Sequence, residues 1–222
     1  KDGAAGVKVA AVVPGNSARN LPAVSGIYIL LDSITGQPVA VLDGTRLTTR
    51  RTAAASALAA DYLARKDASH LVMVGTGAMA PNLIAAHASV RPIKKVTIWN
   101  RRPEKAVTLA REVELLGFEA TGTDDLEVAC KTADIISCAT LSTAPLVRGA
   151  WLSDGVHVDL VGAFKPVMRE TDDAVMKKCR IYVDSMDGAA AEGGDVVQAI
   201  QSGAISKDDI VGDLFDLTRG NV

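Results

Sequence analysis

The feature that most constrains the fold is a regular alternation of strand-like and helix-like segments that begins near residue 71. Short apolar, β-rich runs predict strands at 71–75, 96–100, 118–122, 134–140, 155–162 and 179–185. Helical patterns lie between most of these runs, at 78–90, 103–116, 126–132 and 168–178. Repeated strand–helix units of this length predict a parallel sheet with right-handed crossovers, and therefore an α/β fold.

The first part of the chain has a different pattern. Its β-rich runs at 6–13, 26–31 and 38–42 are separated by turn-rich segments, which predicts an antiparallel meander, and a helix is expected over 48–64. We therefore expect a doubly wound parallel sheet of the Rossmann type plus a smaller mixed α+β domain. The predicted bounds are 1–64 for the smaller domain, 65–195 for the nucleotide-binding domain, and 196–222 for a tail of short helices that returns towards the first domain.

A glycine-rich turn follows the first strand of the alternating region. Residues 75–80, GTGAMA, match the G-x-G-x-x-A pattern between a predicted strand and a predicted helix. Gly75 would permit the tight turn, Gly77 would let backbone approach a pyrophosphate, and Ala80 would keep the helix close to the strand. The helix N-terminus would offer free N–H groups to the anion. The alternative is an ordinary strand–helix connection. We expect the cofactor to contact Gly75, Thr76, Gly77, Ala78 and Met79.

The second strand of the alternating region ends in Asn100, Arg101 and Arg102. Enzymes that use NAD usually carry an acidic residue at this position, where it binds the ribose 2′-hydroxyl. Here a neutral residue is followed by two guanidinium groups, which suit bidentate binding of a phosphate. The pattern favours NADPH, with its 2′-phosphate, over NADH. The alternative is that the two arginines belong to a solvated turn.

Composition excludes several classes of function. The net charge of −2 and the 4% aromatic content argue against a nucleic-acid partner. No apolar run is long enough for a bilayer span, so no membrane association is expected. The three cysteines form no C-x-x-C pair, which favours a reducing, cytoplasmic location. The three histidines show no metal-ligand spacing, and no metal is expected.

Two basic positions in the first part of the chain could bind an anion. Arg50 and Arg51 fall at the start of the helix expected over 48–64, where positive charge opposes the helix dipole and a bound anion would offset the cost. Arg51 or Thr52 could then hold a substrate carboxylate or the cofactor pyrophosphate. The alternative is a pair of exposed arginines. Lys8 lies between Val7 and Val9 on a predicted strand, where protection of a sheet edge is the alternative to chemistry.

His157 and Asp159 share one face of a predicted buried strand. Polar residues are unusual in a central parallel strand. We interpret them as hydrogen-bonded core residues in preference to catalytic ones.

Taken together, five segments resemble the ornithine cyclodeaminase and mu-crystallin family. They are GVKVAAVVPGN at 6–16, LDGTRLTTRRTAAASALAADYLA at 42–64, VGTGAM at 74–79, VTIWNRR at 96–102 and GVHVDLVGAFKPVMRE at 155–170. The resemblance extends over essentially the whole chain. It implies a Rossmann domain plus a dimerisation domain that holds the substrate, and hence a homodimer. Family members are longer at both ends, so the chain looks trimmed, and an N-terminal arginine that helps to bind the substrate carboxylate is expected to be absent.

The resemblance also implies roles for particular residues. Lys8 would contact the substrate at the reacting carbon and serve as the catalytic residue, and Arg51 would bind the substrate carboxylate. Thr52 would bind a cofactor phosphate. The run Asn100, Arg101 and Arg102 would surround the 2′-phosphate of NADPH. Ala139 and Thr140 would lie along the cofactor towards the nicotinamide.

One departure from the family pattern indicates the reaction. Ornithine cyclodeaminases carry a Gly-Gly-Asp segment with a catalytic acid where this chain has Gly162, Ala163 and Phe164. The segment is similar to that of the reductase branch, which reduces Δ1-pyrroline-2-carboxylate and Δ1-piperideine-2-carboxylate to L-proline and L-pipecolate. The expected substrate is therefore a small cyclic imino acid. The alternatives are an amino-acid dehydrogenase or N-alkylamino-acid synthase, an ornithine cyclodeaminase, and a non-catalytic protein that binds NADPH and a small ligand.

Overall fold

The computed structural model describes residues 4–19, 21–22 and 24–222. The strands are β1 (Ala4–Val12), β2 (Val24–Asp32), β3 (Pro38–Asp43), β4 (His70–Val74), β5 (Lys95–Trp99), β6 (Glu119–Thr123), β7 (Ile135–Cys138), β8 (Thr143–Val147), β9 (His157–Leu160), β10 (Arg169–Thr171), β11 (Ile181–Val183) and β12 (Ile210–Asp213). The α-helices are α1 (Gly44–Leu63), α2 (Ala80–Val90), α3 (Pro103–Glu114), α4 (Leu126–Lys131), α5 (Asp173–Lys178), α6 (Met186–Glu192), α7 (Gly194–Gln201) and α8 (Leu214–Arg219). Short 3₁₀ helices cover Pro14–Arg19, Gly149–Trp151 and Lys207–Asp209.

The chain forms two compact units, residues 1–52 and 53–222. In the first unit, β1, β2 and β3 form an antiparallel sheet in which β2 is central. This is the meander that the sequence predicts. The first half of α1 follows it directly and belongs to the same unit.

The second unit is built on a parallel sheet with the order β6-β5-β4-β7-β9. The chain moves outward from β4 in one direction through β5 and β6, and in the other through β7 and β9. This reversal creates a topological switch point between β4 and β7, at whose carboxyl ends ligands bind in open α/β sheets. The predicted Rossmann fold plus a smaller domain is confirmed.

The sequence of β4 explains why both faces of this sheet are covered. All five of its residues are buried. Leu71 and Met73 pack into one apolar cluster, and Val72 and Val74 pack into another. Since successive side chains of a strand point to opposite faces, a continuous apolar run fits a strand between two helical layers.

Three short strands lie outside the predicted pattern. The strand β8 pairs with β10, and β11 pairs with β12, in two parallel two-stranded sheets. Because β12 lies near the chain end and pairs with β11, this part of the tail is packed within the larger unit. The helix expected over 168–178 is shorter than predicted: it begins at Asp173, after β10, with Asp172 as its N-cap.

Candidate functional site: a dinucleotide turn at the switch point

The glycine turn lies at the switch point of the parallel sheet. Gly75 follows β4 with φ of +112°, a conformation that favours glycine. A Cβ atom there would be 2.7 Å from the carbonyl oxygen of Ala139 and 3.3 Å from the Cγ2 atom of Thr140. The Gly75 N–H donates to the Trp99 carbonyl at 2.9 Å. The structure therefore brings the turn into contact with the end of β7 and joins it to the end of β5.

The space beside the second glycine is open. A Cβ atom on Gly77 would meet no atom of the described residues within 4 Å. No side chain among the described residues caps the N-terminus of α2, and a proline occupies its first turn. Helix N-termini of this kind leave N–H groups for an anion, and Ala80, which is fully buried, keeps the helix close to the sheet. An open cradle of backbone donors fits the pyrophosphate of a dinucleotide.

Asn100 connects the turn to the end of the next strand. Its Nδ2 donates to the Thr76 hydroxyl at 2.7 Å, and its Oδ1 accepts from the Arg102 N–H at 2.9 Å. Both ends of this amide are therefore used inside the protein, which sequence reasoning missed. The side chains of Arg101 and Arg102 are exposed and form no salt bridge with any described residue. They remain available to a ligand.

A buried acid that sequence reasoning also missed lies below Thr140. Glu170 is fully buried, and its carboxylate accepts from the Thr140 N–H at 2.6 Å and from the Thr140 hydroxyl at 2.7 Å. Burial raises the pKa of Glu170, hydrogen bonds from Thr140 and Gly162 oppose the rise, and the pKa lies at about 7. The only local signal was an acid within a short RET segment, which has no distinctive spacing.

The polar residues of β9 form a separate cluster inside the sheet. Asp159 accepts from the Ser137 hydroxyl at 2.7 Å, and its Oδ2 is 3.1 Å from Nε2 of His87. Burial acts to raise the pKa of Asp159, but the hydrogen bonds from His87 and Ser137 and the nearby His157 lower it below its usual value. Burial lowers the pKa of His157 to about 4. The interpretation as a hydrogen-bonded core residue is confirmed for Asp159. It is not confirmed for His157, whose buried Nε2 atom has no hydrogen-bond partner among the described residues.

In the first unit, Lys8 lies on β1, an edge strand, opposite Tyr28 of β2. Its side chain is exposed and forms no salt bridge with a described residue. The ring of Tyr28 lies over Gly6, where a Cβ atom would be 1.9 Å from the phenol oxygen. Tyr28 therefore shares the face of Lys8.

The expected helix start near Arg50 and Arg51 is wrong. Helix α1 begins at Gly44, and Asp43 caps it by accepting from the N–H groups of Thr45 at 2.9 Å and Arg46 at 3.0 Å. The two arginines lie beyond the first turn, where the helix dipole has little effect, so the argument that an anion offsets their cost does not hold. Arg51 is exposed and Thr52 is partly buried. Their binding roles stay predictions.

The site residues fall into two sets. The glycine turn, Asn100, Ala139 and Thr140 converge at one edge of the parallel sheet, whereas Lys8, Arg51 and Thr52 belong to the first unit. Among the described residues, no three His, Cys, Asp or Glu side chains are grouped to hold a metal ion. The same residues contain no helix that is both long and apolar enough to cross a membrane.

A parallel sheet with an open glycine turn at its switch point defines a dinucleotide-binding protein of the Rossmann class. The chain belongs to the ornithine cyclodeaminase/mu-crystallin family, whose model matches residues 1–222.

Three named proteins are similar over almost the whole chain. A Δ1-pyrroline-2-carboxylate reductase of Paracoccus denitrificans is 41% identical over 215 residues, covering 96% of this chain and 68% of that protein. The structure of Thermococcus litoralis Δ1-pyrroline-2-carboxylate reductase with NADH and L-proline has a TM-score of 0.93 and 34% identity, covering 97% of this chain and 67% of that one. An archaeal alanine dehydrogenase dimer with bound NAD has a TM-score of 0.92 and 32% identity, covering 99% and 68%.

These findings confirm the predicted family and the predicted enzyme class, a pyridine-nucleotide oxidoreductase acting on C=N groups. The chain spans 66% to 68% of the length of the first curated relatives that it matches.

Proposed function

We propose that the protein reduces a small cyclic imino acid with NADPH, converting Δ1-pyrroline-2-carboxylate or Δ1-piperideine-2-carboxylate to L-proline or L-pipecolate. The observation that carries the proposal is the contact between the glycine turn and the end of β7, in a chain 41% identical to a named Δ1-pyrroline-2-carboxylate reductase. Phe164, half-exposed after β9, supports it because an aromatic ring cannot replace the catalytic acid of a cyclodeaminase.

The cofactor would be held by residues of the second unit. Gly77 and the N-terminus of α2 would bind the pyrophosphate, and Ala139 and Thr140 would lie towards the nicotinamide. When bound, a reduced nicotinamide supplies the hydride, and the protein supplies position and electrostatics.

NADPH is proposed over NADH on the strength of the end of β5. No acid stands at 100–102 to bind a ribose 2′-hydroxyl, and two exposed guanidinium groups follow. Asn100 would act indirectly, since its amide already links Thr76 to Arg102. The named structures of relatives contain NADH and NAD, so kinetics with both cofactors test the choice between NADPH and NADH.

Residues of the first unit would bind the substrate. Arg51 would hold the carboxylate, which orients the imine carbon and supplies a large part of the rate acceleration through positioning. Lys8 would polarise the C=N bond or deliver a proton to its nitrogen. We also propose a homodimer, as the alanine dehydrogenase relative is named a dimer. The cytoplasmic location stays a prediction.

A second candidate is an amino-acid dehydrogenase or N-alkylamino-acid synthase that forms its imine from a 2-oxo acid and an amine. The similarity to an alanine dehydrogenase with a TM-score of 0.92 favours it over the remaining alternatives. The chemistry at the cofactor would be the same, and only the source of the imine would differ.

The test is NADPH oxidation followed by absorbance with three substrates in parallel: each cyclic imino acid, and pyruvate with methylamine. We expect oxidation with at least one cyclic imino acid and slower oxidation with NADH. Oxidation only with pyruvate and methylamine would support the second candidate. If neither cyclic imino acid is reduced, the proposal is refuted. A preference for NADH would refute the cofactor assignment.

The role of Arg51 is tested by Arg51→Ala, with Arg50→Ala as the matched control on the same helix. We expect the first variant to raise KM for the imino acid and to lower kcat/KM by about tenfold or more, because a charge-assisted contact is lost. We expect the second to leave both constants unchanged. Equal kinetics in the two variants would place Arg51 on the solvated surface.

A further inference from the structure

One buried carboxylate connects the ends of two neighbouring strands of the parallel sheet. Oε1 of Glu170 accepts from the N–H and the hydroxyl of Thr140, and Oε2 accepts from the Gly162 N–H at 2.7 Å. Thr140 follows β7 and Gly162 follows β9, beyond the last paired residues Cys138 and Leu160. Glu170 therefore satisfies backbone donors of both strands at the edge where the cofactor is expected.

The carboxylate is tightly seated. A Cβ atom on Gly162 would be 2.3 Å from the Thr140 carbonyl oxygen and 2.4 Å from Oε1 of Glu170. Only a residue without a side chain fits at this distance. The loop after β9 is therefore held against the loop after β7 through Glu170, with no space for the two to shift independently.

The backbone around Glu170 is fixed by hydrogen bonds to Asp195 of α7. Asp195 accepts from the Glu170 N–H at 3.1 Å, from the Thr171 N–H at 2.8 Å and from the Thr171 hydroxyl at 2.7 Å. Asp195 is also buried. This fixes the backbone of β10, and with it the direction from which the Glu170 side chain reaches the strand ends.

Burial of the Glu170 carboxylate lowers the stability of the folded protein. No Lys, Arg or His among the described residues pairs with Glu170 in a salt bridge. Burying a carboxylate without a cation carries a large desolvation penalty, and the pKa of about 7 reports that penalty. The carboxylate accepts three short hydrogen bonds, which join the loop after β7 at Thr140 to the loop after β9 at Gly162. We call this contact the Glu170 junction.

The Glu170 junction contacts the glycine turn at residues 75–80 through Thr140. The same Thr140 whose N–H and hydroxyl bind Glu170 lies 3.3 Å from the position of a Cβ atom on Gly75. The Thr140 hydroxyl also accepts from the Ser142 N–H at 3.2 Å, so its side chain is fixed on both sides. What Thr140 would present to the nicotinamide is therefore set by Glu170.

From this geometry we propose that Glu170 is a positioning residue for imine reduction, which holds residues 139–140 and 162–164 in the arrangement that the nicotinamide and the substrate require. The proposal rests on the proposed function. Glu170 would touch neither the substrate nor the cofactor, and would act through Thr140 and Gly162.

The decisive variant is Glu170→Gln, which has nearly the same shape. Its amide oxygen can still accept from Thr140, but its NH₂ group meets the Gly162 N–H donor against donor, which releases the end of β9. The matched control is Asp159→Asn, which also neutralises a buried acid of the same unit, but one that lies within the ladder of β7 and β9. Both variants are compared with the unaltered chain at equal folded fraction, which is checked by urea unfolding.

We expect Glu170→Gln to lower kcat for the imino acid by about 10- to 100-fold, since small displacements of positioned groups have effects of this size. The Kd for NADPH is expected to change much less. Amide hydrogen exchange should accelerate in the segments 139–142 and 162–166. The control should retain kcat and the exchange rates of both segments. A Glu170→Gln protein that is destabilised but keeps the kcat of the unaltered chain would show a structural role only and would overturn the proposal.

A further readout separates this proposal from the proposed function. If the unaltered chain reduces neither imino acid, the proposed function fails, and the fluorescence of bound NADPH then decides the positioning role. We expect Glu170→Gln to alter the emission of the bound nicotinamide, while Asp159→Asn leaves it unchanged. Identical emission in both variants would overturn the proposal whatever the substrate.

Discussion

Asp159 and Glu170 are two buried acids of the same unit with different surroundings. Asp159 lies within the ladder of β7 and β9 and meets the His87 imidazole and the Ser137 hydroxyl. Glu170 lies beyond the ladder, and within the described part of the chain its carboxylate accepts only from backbone N–H groups and the Thr140 hydroxyl. The pKa of Asp159 is lowered despite its burial, whereas burial raises that of Glu170 to about 7.

The position of a buried acid relative to the strand ladder therefore decides what its carboxylate can do. Inside the ladder, the Asp159 carboxylate links a helix and two strands through the His87 imidazole and the Ser137 hydroxyl. Beyond the ladder, where regular pairing has ended, an acid can set the path of loops that face a ligand. We therefore expect substitutions of Asp159 to change stability and substitutions around Glu170 to change activity.

The largest effect on stability is expected for Asp159→Ala. It leaves the His87 ring and the Ser137 hydroxyl without their buried partner, at a cost of about 2 to 5 kcal/mol in the free energy of unfolding. Urea unfolding measures the loss. Asp159→Asn keeps an acceptor in place and should lose less. A loss below about 1 kcal/mol for the alanine variant would contradict the assigned role of the cluster.

A smaller loss in the free energy of unfolding is expected when a methyl group is added beside Glu170. In Gly162→Ala, the added methyl group would overlap the Thr140 carbonyl and the Glu170 carboxylate, with a cost of about 1 to 3 kcal/mol and a fall in kcat for the folded fraction. The matched variant is Gly77→Ala, where the space is open. It should unfold at nearly the same urea concentration but raise the Kd for NADPH by about tenfold, equivalent to about 1.4 kcal/mol. A stable Gly162→Ala protein with normal kcat would show that the close contact of Gly162 with Thr140 and Glu170 matters for neither folding nor activity.

Features that carry a local sequence pattern could be predicted, whereas contacts between residues distant in sequence could not. The strand run before Gly75, the turn itself and the strand ends at 100 and 139–140 carry local patterns, so the sheet and the cofactor edge were predicted from them. The start of α1 was misplaced because Asp43 and Gly44 also suit the end of a strand. The links from Asn100 to Thr76 and from Glu170 to Thr140 and Gly162 join residues distant in sequence. No local spacing encodes such contacts.

The contrast between satisfied and free polar groups extends to the end of β5. The amide of Asn100 is used by Thr76 and Arg102, whereas the guanidinium groups of Arg101 and Arg102 are exposed. In the double variant Arg101→Ala/Arg102→Ala, we expect KM for NADPH to rise about tenfold while KM for NADH stays within about twofold, because only NADPH carries the 2′-phosphate. Steady-state kinetics with both cofactors measure the ratio. An equal rise for both would assign the arginines to a general electrostatic effect.

The smallest predicted effect is a difference in the sign of the pH dependence of stability. For Asp159, whose folded pKa is lowered, the stabilising contribution is present above the unfolded pKa and is lost as the pH falls through the folded pKa. For Glu170, whose folded pKa is raised from 4.5 to about 7, the folded state binds the proton more tightly, so stability falls as the pH rises from 4.5 to about 7.

Because His157, with a folded pKa of about 4, also titrates across this range, the slopes must be read as differences between each variant and the unaltered chain. Removal of the Glu170 carboxyl in Glu170→Gln should make stability fall less steeply between pH 4.5 and about 7. Asp159→Asn should reduce the loss of stability in more acidic solution. Between pH 4.5 and about 7 it should act only through His157, whose pKa falls further when the Asp159 charge is removed. Urea unfolding at a series of pH values measures both curves. The two variants could instead change the pH dependence of the unfolding free energy in the same direction over the same pH range. The pKa values of Asp159 and Glu170 would then not be shifted in opposite directions.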